Sequence, residues 1–216
     1  MTLPSLYKEN RLFFIGFILF TIVSVLILVF YSKADGFFLL NPYHSKYSDI
    51  FFIYFTYFGD GFFCIASGVL LFIFKKRFLA LMVFSGYAVS GIITQVLKYF
   101  IIEARPAVYL QSSSYQYFVD EVTLHNYHGF PSGHAASAFA LAAVLSFAVK
   151  NKNYSILFLL AAISVGYSRI YLAQHFLDDV LAGAIIGLLS AIFCWMFFEI
   201  RFYRLVQSKM KSIQHN

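Results

Sequence analysis

Three short stretches of the sequence combine residue types that could bind and process an anion. The first, KYFIIEARP, carries Lys98 and Arg105. The two cations are seven residues apart, or two helical turns, so both can point to one face of a helix. Pro106 disfavours helix at Arg105 and predicts that the helix ends there. Two cations on one face suit a phosphate or a carboxylate, and two basic side chains that reach to a membrane interface are the alternative.

The second stretch is GFPSGHAASAFA, residues 129–140. Ser132 is a good N-cap, and Gly133 leaves the backbone N–H groups accessible at the start of a helix. A helix N-terminus of this kind is a ready anion site. His134 follows in the first turn, where it could donate a proton to a leaving oxygen. An ordinary capped turn with an interfacial histidine is the alternative, and the alanines that follow predict close helix packing.

The third stretch, SRIYLAQHFLDDV, places His175 four residues before Asp179. At that spacing the carboxylate can accept a hydrogen bond from one ring nitrogen and orient the other, as in covalent catalysis. Arg169 can add a bidentate guanidinium for phosphate. A surface ion pair at the head of a helix is the alternative.

The elements that carry these stretches are hydrophobic. Apolar residues make up 61% of the 216 residues, charged residues only 12%, and apolar runs of about twenty residues recur, the length that spans a bilayer. Backbone groups in lipid must bond internally, which favours helices. We therefore predict an all-α polytopic membrane protein, a single domain over residues 1–216 with six transmembrane helices in one bundle. The predicted spans are 12–31, 54–74, 78–100, 132–149, 154–173 and 179–198.

The basic residues predict the orientation of this bundle. Most of the 16 Lys and Arg residues lie before span one, between spans two and three, between spans four and five, and after span six. By the positive-inside rule that side and both termini are cytoplasmic. The three stretches then face the periplasm or the outside of the cell, and the net charge of +6 reflects topology, with no nucleic acid as partner. Span one is expected to be an uncleaved anchor, and Cys64 and Cys194 fall within spans, so neither a disulfide nor a cysteine metal site is implied.

The three stretches resemble the signatures of a known family. Lys98 to Pro106 fits K-x6-R-P, Pro131 to His134 is P-S-G-H, and Ser168 to Asp179 fits S-R-x5-H-x3-D. In these three motifs the sequence resembles the type 2 phosphatidic acid phosphatase superfamily, which includes vanadium haloperoxidases and glucose-6-phosphatase. The resemblance covers nearly the whole chain.

What the resemblance implies is a phosphatase without metal or cofactor that forms a phosphohistidine. Carried over by motif position, His175 is the nucleophile, Asp179 orients it, and His134 protonates the leaving oxygen and then activates water. The phosphoryl oxygens are held by a set of cations and a helix end: Lys98, Arg105, Arg169, Ser132 and the amide of Gly133. A cage of three cations can replace a metal in phosphoryl transfer.

Three acidic residues depart from this pattern or add to it. Asp178 competes with Asp179 as the orienting group, although only Asp179 has the i+4 spacing. Glu103 lies close to the phosphate-binding cations. Asp60, an ionisable group within span two, either supports the site or only caps a helix.

The sequence does not distinguish between several lipid phosphates as the substrate. The resemblance offers phosphatidic acid, phosphatidylglycerol phosphate, undecaprenyl pyrophosphate and lipid A phosphates. The acidic residues of the loop 101–131 weakly favour monoesters, although His125 and His128 could compensate. The lipid is expected to reach the site sideways from the bilayer, past the aromatic segment 50–58. A non-catalytic lipid-binding or transport protein with the same fold is the alternative function, and a membrane haloperoxidase a third. The oligomeric state is left open.

Overall fold

The structure, a computed structural model, describes residues 3–113, 115 and 117–214, with side chains described up to Arg201. None of these residues forms a strand, which confirms the all-α class. The helices are α1 Leu3–Glu9, α2 Arg11–Phe30, α3 Lys33–Leu40, α4 Lys46–Phe55, α5 Gly61–Ile73, α6 Arg77–Phe100, α7 Pro106–Tyr109, α8 Gly133–Ala148, α9 Tyr154–Tyr171 and α10 Leu177–Gln214.

The predicted span 54–74 is not one straight helix. Helix α4 runs into a 3-10 turn, Thr56–Gly59, and α5 then begins at an angle, so the two halves are bent by 56°. Asp60 causes the break because its backbone is extended and its side chain accepts a hydrogen bond from the backbone N–H of Phe62 at 2.8 Å. It is the N-cap of α5, and a capped N-terminus starts a new helix.

In the described part of the chain, four helices are long and apolar enough to cross a membrane: α2, α6, α9 and the part of α10 from Leu177 to Arg201. The bent pair of α4 and α5 gives a fifth candidate. The predicted span 132–149 corresponds to α8, a shorter helix of 16 residues. Helix α8 lies at the centre of the bundle, where it contacts α6, α9 and α10, and most of its residues are buried. Its position, more than its length, makes it the core helix.

Close approach of backbones joins α8 to α10. A Cβ built on Gly183 would lie 2.4 Å from the carbonyl oxygen of Ser132, and one on Gly187 would lie 2.3 Å from that of Ala136. Only glycine permits this contact, and the small residues of α8 supply the matching surface. The close helix packing predicted from the alanines is therefore confirmed, and it fixes the N-terminus of α8 beside the start of α10.

The outer surface of the bundle is apolar. Val29 on α2, Phe62 on α5 and Phe100 on α6 are 70%, 85% and 75% exposed. A soluble monomer rarely exposes apolar surface on this scale, whereas lipid solvates it. The interior is filled by packed aromatic and aliphatic side chains such as Phe13, Phe139 and Leu159.

The two ends of the bundle bring together different helix termini. The C-termini of α6 and α9 and the N-termini of α8 and α10 meet at one end, which we call the site end. At the opposite end the ammonium group of Lys152 donates to the carbonyl oxygens of Ser146 and Phe147, both at 3.1 Å, and to Oδ1 of Asn10 at 2.8 Å. A cation thus binds the free carbonyls at the C-terminus of α8 and attaches the N-terminal segment to them.

Candidate active site

The turn between α9 and α10 carries His175 and Asp179. Residues Gln174 and His175 both donate their backbone N–H to the carbonyl of Arg169, at 2.9 and 3.1 Å, so the last turn of α9 closes under the histidine. Oδ2 of Asp179 accepts from the backbone N–H of Phe176 at 2.9 Å and lies 3.3 Å from Nδ1 of His175. Helix α10 begins only at Leu177, so the pair spans a helix N-terminus.

Burial of this pair fixes the state of the imidazole. The side chains of His175 and Asp179 are only 3% and 1% exposed. Burial lowers the pKa of His175 well below 6.5, and the nearby cations Arg169, Arg105 and Lys98 lower it further. The ring is therefore neutral at pH 7, and the Nδ1–H tautomer that donates to Asp179 leaves a lone pair on Nε2. An imidazole in this state can act as a nucleophile.

Backbone hydrogen bonds connect the three sequence stretches. The N–H of Gly129 donates to the carbonyl of Glu103 at 3.1 Å, and the N–H of Ser132 donates to the carbonyl of Asp179 at 2.9 Å. The N–H of Arg105 donates to the carbonyl of Asn126 at 2.9 Å. The loop that links α6 to α8 is thus attached to both neighbouring stretches, and the three come together at the site end.

Lys98 and Arg105 converge, but not for the reason that their spacing suggested. Helix α6 ends at Phe100, so Arg105 is not on the same helix face as Lys98. The loop instead returns Arg105 to the site, where both cations donate to the carbonyl of His128, Lys98 at 2.5 Å and Arg105 at 3.4 Å. Arg105 also donates to the carbonyl of Gln174 at 3.3 Å, next to His175.

Arg169 lies at the end of α9 and is only 8% exposed. Its Nη1 donates to Oγ1 of Thr56 at 2.8 Å, which connects the 3-10 turn to the site. Its Nε is buried and has no partner among the described residues. A buried guanidinium N–H without an acceptor is costly, and a bound anion would supply one.

Ser132 and Gly133 form the N-terminus of α8. The hydroxyl of Ser132 accepts from the backbone N–H of Ala135 at 3.4 Å, so its predicted role as N-cap is confirmed. A Cβ built on Gly133 would meet only Thr94, at 3.9 Å. The Cα of Gly133 is therefore not crowded by neighbouring side chains, and Gly133 lies at the positive end of the α8 dipole, where an anion is favoured.

His134 faces Asp60. Their Nε2 and Oδ2 atoms are 3.8 Å apart, and the two side chains are 29% and 38% exposed. This distance allows an ion pair but is too long for a hydrogen bond. A Cβ on Gly59 would come within 2.8 Å of the carbonyl oxygen of His134, so the 3-10 turn packs directly on this histidine. Asp60 thus both caps α5 and faces His134.

Two acidic residues beside the site, Glu103 and Asp178, contact Lys33, a cation outside the three stretches. The carboxylates of Glu103, Asp178 and Asp179 lie within 4.8 Å of one another, a group that could hold a metal ion among the described residues. The ammonium group of Lys33 contacts Glu103 and lies 2.8 Å from Oδ2 of Asp178. Asp178 is therefore paired with Lys33, and the carboxylate that faces His175 belongs to Asp179.

Sequence reasoning missed three residues at the site: Lys33, Thr56 and Gln174. All three contact residues far away in the sequence: 145 residues separate Lys33 from Asp178, 113 separate Thr56 from Arg169, and 69 separate Gln174 from Arg105. Local spacing cannot reveal such pairs. The one available signal was that Lys33 lies outside the predicted cytoplasmic segments.

Comparison with known families places the chain in a family. Residues 79–203, more than half of the chain, match the family model of the PAP2 superfamily. The matched range includes α8, α9 and all three stretches of the site. The chain therefore belongs to the PAP2 superfamily.

Among curated proteins the chain is similar to bacterial phosphatases. It is 42% identical over 72 residues to the lipid A 4'-phosphatase of Bacteroides thetaiotaomicron, covering 33% of this chain and 31% of the relative. It is 31% identical over 133 residues to phosphatidylglycerophosphatase B of Bacillus subtilis, covering 56% and 59%. The alignments thus span about a third and three fifths of these relatives.

Two solved structures are similar over most of their length. The crystal structure of Aquifex aeolicus LpxE superposes with a TM-score of 0.65 at 30% identity, covering 77% of this chain and 96% of that one. The phosphatidylglycerolphosphate phosphatase of Bacillus subtilis superposes with a TM-score of 0.63 at 23% identity, covering 89% and 96%. The second likeness is one of fold alone.

Proposed function

We propose that this protein is an integral-membrane lipid phosphatase that transfers the phosphoryl group of a lipid phosphate to His175 and then to water. One observation carries the proposal: a buried imidazole, 3.3 Å from the carboxylate of Asp179, lies close to the cations Lys98, Arg105 and Arg169. The family membership and the lipid phosphatases named among its relatives support the same class of substrate.

In the first step, Nε2 of His175 forms a bond to phosphorus as the ester P–O bond breaks. Asp179 stabilises the positive charge that develops on the imidazole through Nδ1–H, and His134 donates a proton to the lipid alkoxide. In the second step, His134 accepts a proton from water as the water oxygen attacks phosphorus and the P–N bond breaks. The three cations and the N–H of Gly133 stabilise the equatorial oxygens in both steps.

The chemistry is proposed to need no metal ion. Two of the three carboxylates that could hold one already contact the ammonium of Lys33. Activity should therefore survive EDTA and be inhibited by vanadate, and acid-labile phosphate should attach to the protein during turnover. Loss of activity in EDTA with recovery in Mg²⁺ would contradict this. Binding of lipid phosphate without hydrolysis would favour the alternative, a lipid-binding or transport protein.

The lipid is proposed to reach the site sideways from the bilayer. An apolar cavity of about 250 Å³ lies between the 3-10 turn with its flanking helices, α4 and α5, on one side and α8 and α9 on the other. Its lining includes Ala138, one turn from His134, Val165, one turn from Arg169, and Phe55 and Phe58 of the aromatic segment 50–58. The cavity therefore starts beside the site and extends away from it along α8 and α9, where it could hold an acyl chain of the substrate.

Contacts between the protein and the acyl chain of the substrate can contribute to transition-state positioning. We expect kcat/KM for a long-chain lipid phosphate in mixed micelles to exceed that for p-nitrophenyl phosphate at least about tenfold, or roughly 1.4 kcal/mol. Ala161→Phe, at the exposed side of the cavity, should reduce this preference, whereas Ala88→Phe on the exposed face of α6 should not. Equal efficiency of the two substrates in the wild type would contradict sideways access.

The six predicted spans and the cytoplasmic termini complete the proposal, with α4–α5 and α8 as the second and fourth spans and the site facing the periplasm or the outside. The basic residues opposite the site support this orientation. Cysteines at Ser112 and Lys150, exposed at the two ends, would test it, since the native Cys64 and Cys194 are buried. An impermeant thiol reagent should label Ser112→Cys in intact cells and spare Lys150→Cys. The reverse pattern would place the site in the cytoplasm.

A further inference from the structure

Three cations at the site have uncharged hydrogen-bond partners among the described residues. Within the described residues, the hydrogen bonds of Lys98, Arg105 and Arg169 go to neutral oxygens, those of backbone carbonyls, the Gln174 amide and the Thr56 hydroxyl. No carboxylate neutralises them at ion-pair distance there. The positive charge of all three therefore remains available to an anionic ligand.

Two further carboxylates lie beside that of Asp179, the residue whose charge acts on Lys98 and Arg105. Glu103 is two residues from Arg105, and Asp178 is adjacent to Asp179. Together with Asp179 they lie within 4.8 Å of one another. Carboxylates this close repel each other and would repel an anion bound next to them, and a carboxylate without a partner can pair with a guanidinium. Some feature must keep them from Arg105 and from the imidazole.

Lys33 is that feature. Its ammonium group contacts Glu103, lies 2.8 Å from Oδ2 of Asp178 and sits 4.7 Å from the ring centroid of Phe176. Although burial acts to lower the pKa of Lys33, its hydrogen bonds with Asp178 and Glu103 raise it above the usual 10.5. The side chain is therefore charged at any physiological pH.

The position of Lys33 is set by α3. Ser32 caps this helix, and Phe37, on the next turn, packs edge-on against Phe176 with ring centroids 5.6 Å apart. Asn41, which follows the helix, donates to the carbonyls of Ile170 and Tyr171 at the end of α9, both at 3.2 Å. Lys33 is thus held over the turn that carries His175.

We propose that Lys33 is a positioning residue that binds the carboxylates of Glu103 and Asp178, so that Arg105 stays free for phosphate and Asp179 alone faces His175. The inference rests on the proposed function and assigns a role to a residue outside the three sequence stretches. Removal of the Lys33 charge should release two negative groups beside the site. Binding of the phosphate dianion should weaken more than the chemical step.

The test compares four variants with the wild type: Lys33→Met, Lys33→Arg, the double variant Glu103→Gln/Asp178→Asn, and the triple variant that combines Lys33→Met with both. Kinetics with a lipid phosphomonoester in mixed micelles give kcat and KM, and competition gives the inhibition constant of orthovanadate. Thermal unfolding in detergent reports folding. Lys46→Met removes an exposed charge from the same end of the protein and serves as control.

We expect Lys33→Met to raise KM and the vanadate inhibition constant about tenfold while kcat changes less than about threefold. Lys33→Arg, the double variant, the triple variant and Lys46→Met should stay within about threefold of the wild type. Recovery in the triple variant is the decisive result, because a purely structural role of the lysine would not be restored by neutralising its partners.

Three outcomes would overturn the proposal: unchanged vanadate inhibition in Lys33→Met, a triple variant as impaired as Lys33→Met, or a tenfold loss in the double variant. The last applies even if Lys33→Met does not fold. A wild type that neither hydrolyses lipid phosphate nor binds vanadate would instead refute the proposed function.

Discussion

The two histidine–aspartate pairs of the proposed reaction, His175–Asp179 and His134–Asp60, differ in burial and in geometry. His175 and Asp179 are almost fully buried and 3.3 Å apart, and the carboxylate also accepts from the backbone. His134 and Asp60 are about a third exposed, 3.8 Å apart and on different helices. The first pair is fixed by the fold, whereas the second can adjust.

The difference matches the two tasks of the proposed reaction. A nucleophile must be neutral, desolvated and aligned with phosphorus before the substrate arrives. An acid that later becomes a base must exchange protons with the leaving group and with water. Burial suits the first task, and partial exposure the second. The following predictions test this division, from the largest effect to the smallest.

His175→Ala should abolish turnover, because it removes the proposed nucleophile. The variant should carry no acid-labile phosphate after incubation with substrate, and the wild type should. Since His175 is buried, thermal unfolding in detergent must show that the variant folds, with His175→Gln as a second variant of similar size. Hydrolysis by a folded variant at the wild-type rate would refute the covalent mechanism.

His134→Ala should lower kcat for a lipid phosphate about 1,000-fold, within the range for general acid–base catalysis. With p-nitrophenyl phosphate, whose leaving group departs without a proton, formation of the phosphohistidine should be less impaired than its hydrolysis. The phosphorylated protein should therefore accumulate, as measured by rapid acid quench. Equal losses on both substrates, with no accumulation, would count against the role of His134 in the second step.

Asp179→Asn should lower kcat about 100-fold, toward the lower end of the effects of groups that assist proton transfer. The asparagine can still accept a hydrogen bond, but it cannot stabilise the charge on the imidazole. Asp178→Asn is the matched control and should change kcat less than about threefold, because Asp178 is paired with Lys33. If the two variants were equally impaired, Asp179 would not be the orienting group.

The buried imidazole should remain neutral under mildly acidic conditions. Its pKa is lowered by burial and by neighbouring cations, so protonation should occur only well below pH 6.5. Histidine-selective NMR in detergent can follow this titration, with the His175 signal identified by its absence from His175→Gln. Because the unfolded chain binds this proton more readily, His175 should also make the folded state less stable as the pH falls below about 6.5. A midpoint at or above 6.5 would contradict the assigned environment.

Asp60→Asn should have the smallest effect. A partly exposed ion pair contributes about 1 kcal/mol or less, which corresponds to a change in kcat of at most about fivefold. The asparagine can still accept from Phe62 as the N-cap of α5, so the fold should be kept. A loss as large as that of Asp179→Asn would show that the two pairs are equally important for the reaction.

The sequence by itself determined the class of the fold and the composition of the site. Long apolar runs require helices in lipid, and Ser132 predicted where α8 begins because capping is local chemistry. The three stretches predicted Lys98, Arg105, His134, Arg169, His175 and Asp179 as members of the candidate site, since each residue type can take a specific role toward an anion. The alanines of α8 likewise predicted close packing.

Only the tertiary structure decided how these residues meet. The break at Asp60 turns the predicted second span into a bent pair and places Thr56 against Arg169. Arg105 reaches the site through a returning loop, although helical spacing had suggested a shared face. Lys33 pairs with Asp178, 145 residues away in the chain, which leaves Asp179 as the carboxylate that faces His175. Side-chain chemistry and local periodicity can be read along the chain, whereas pairing across it depends on how the helices pack.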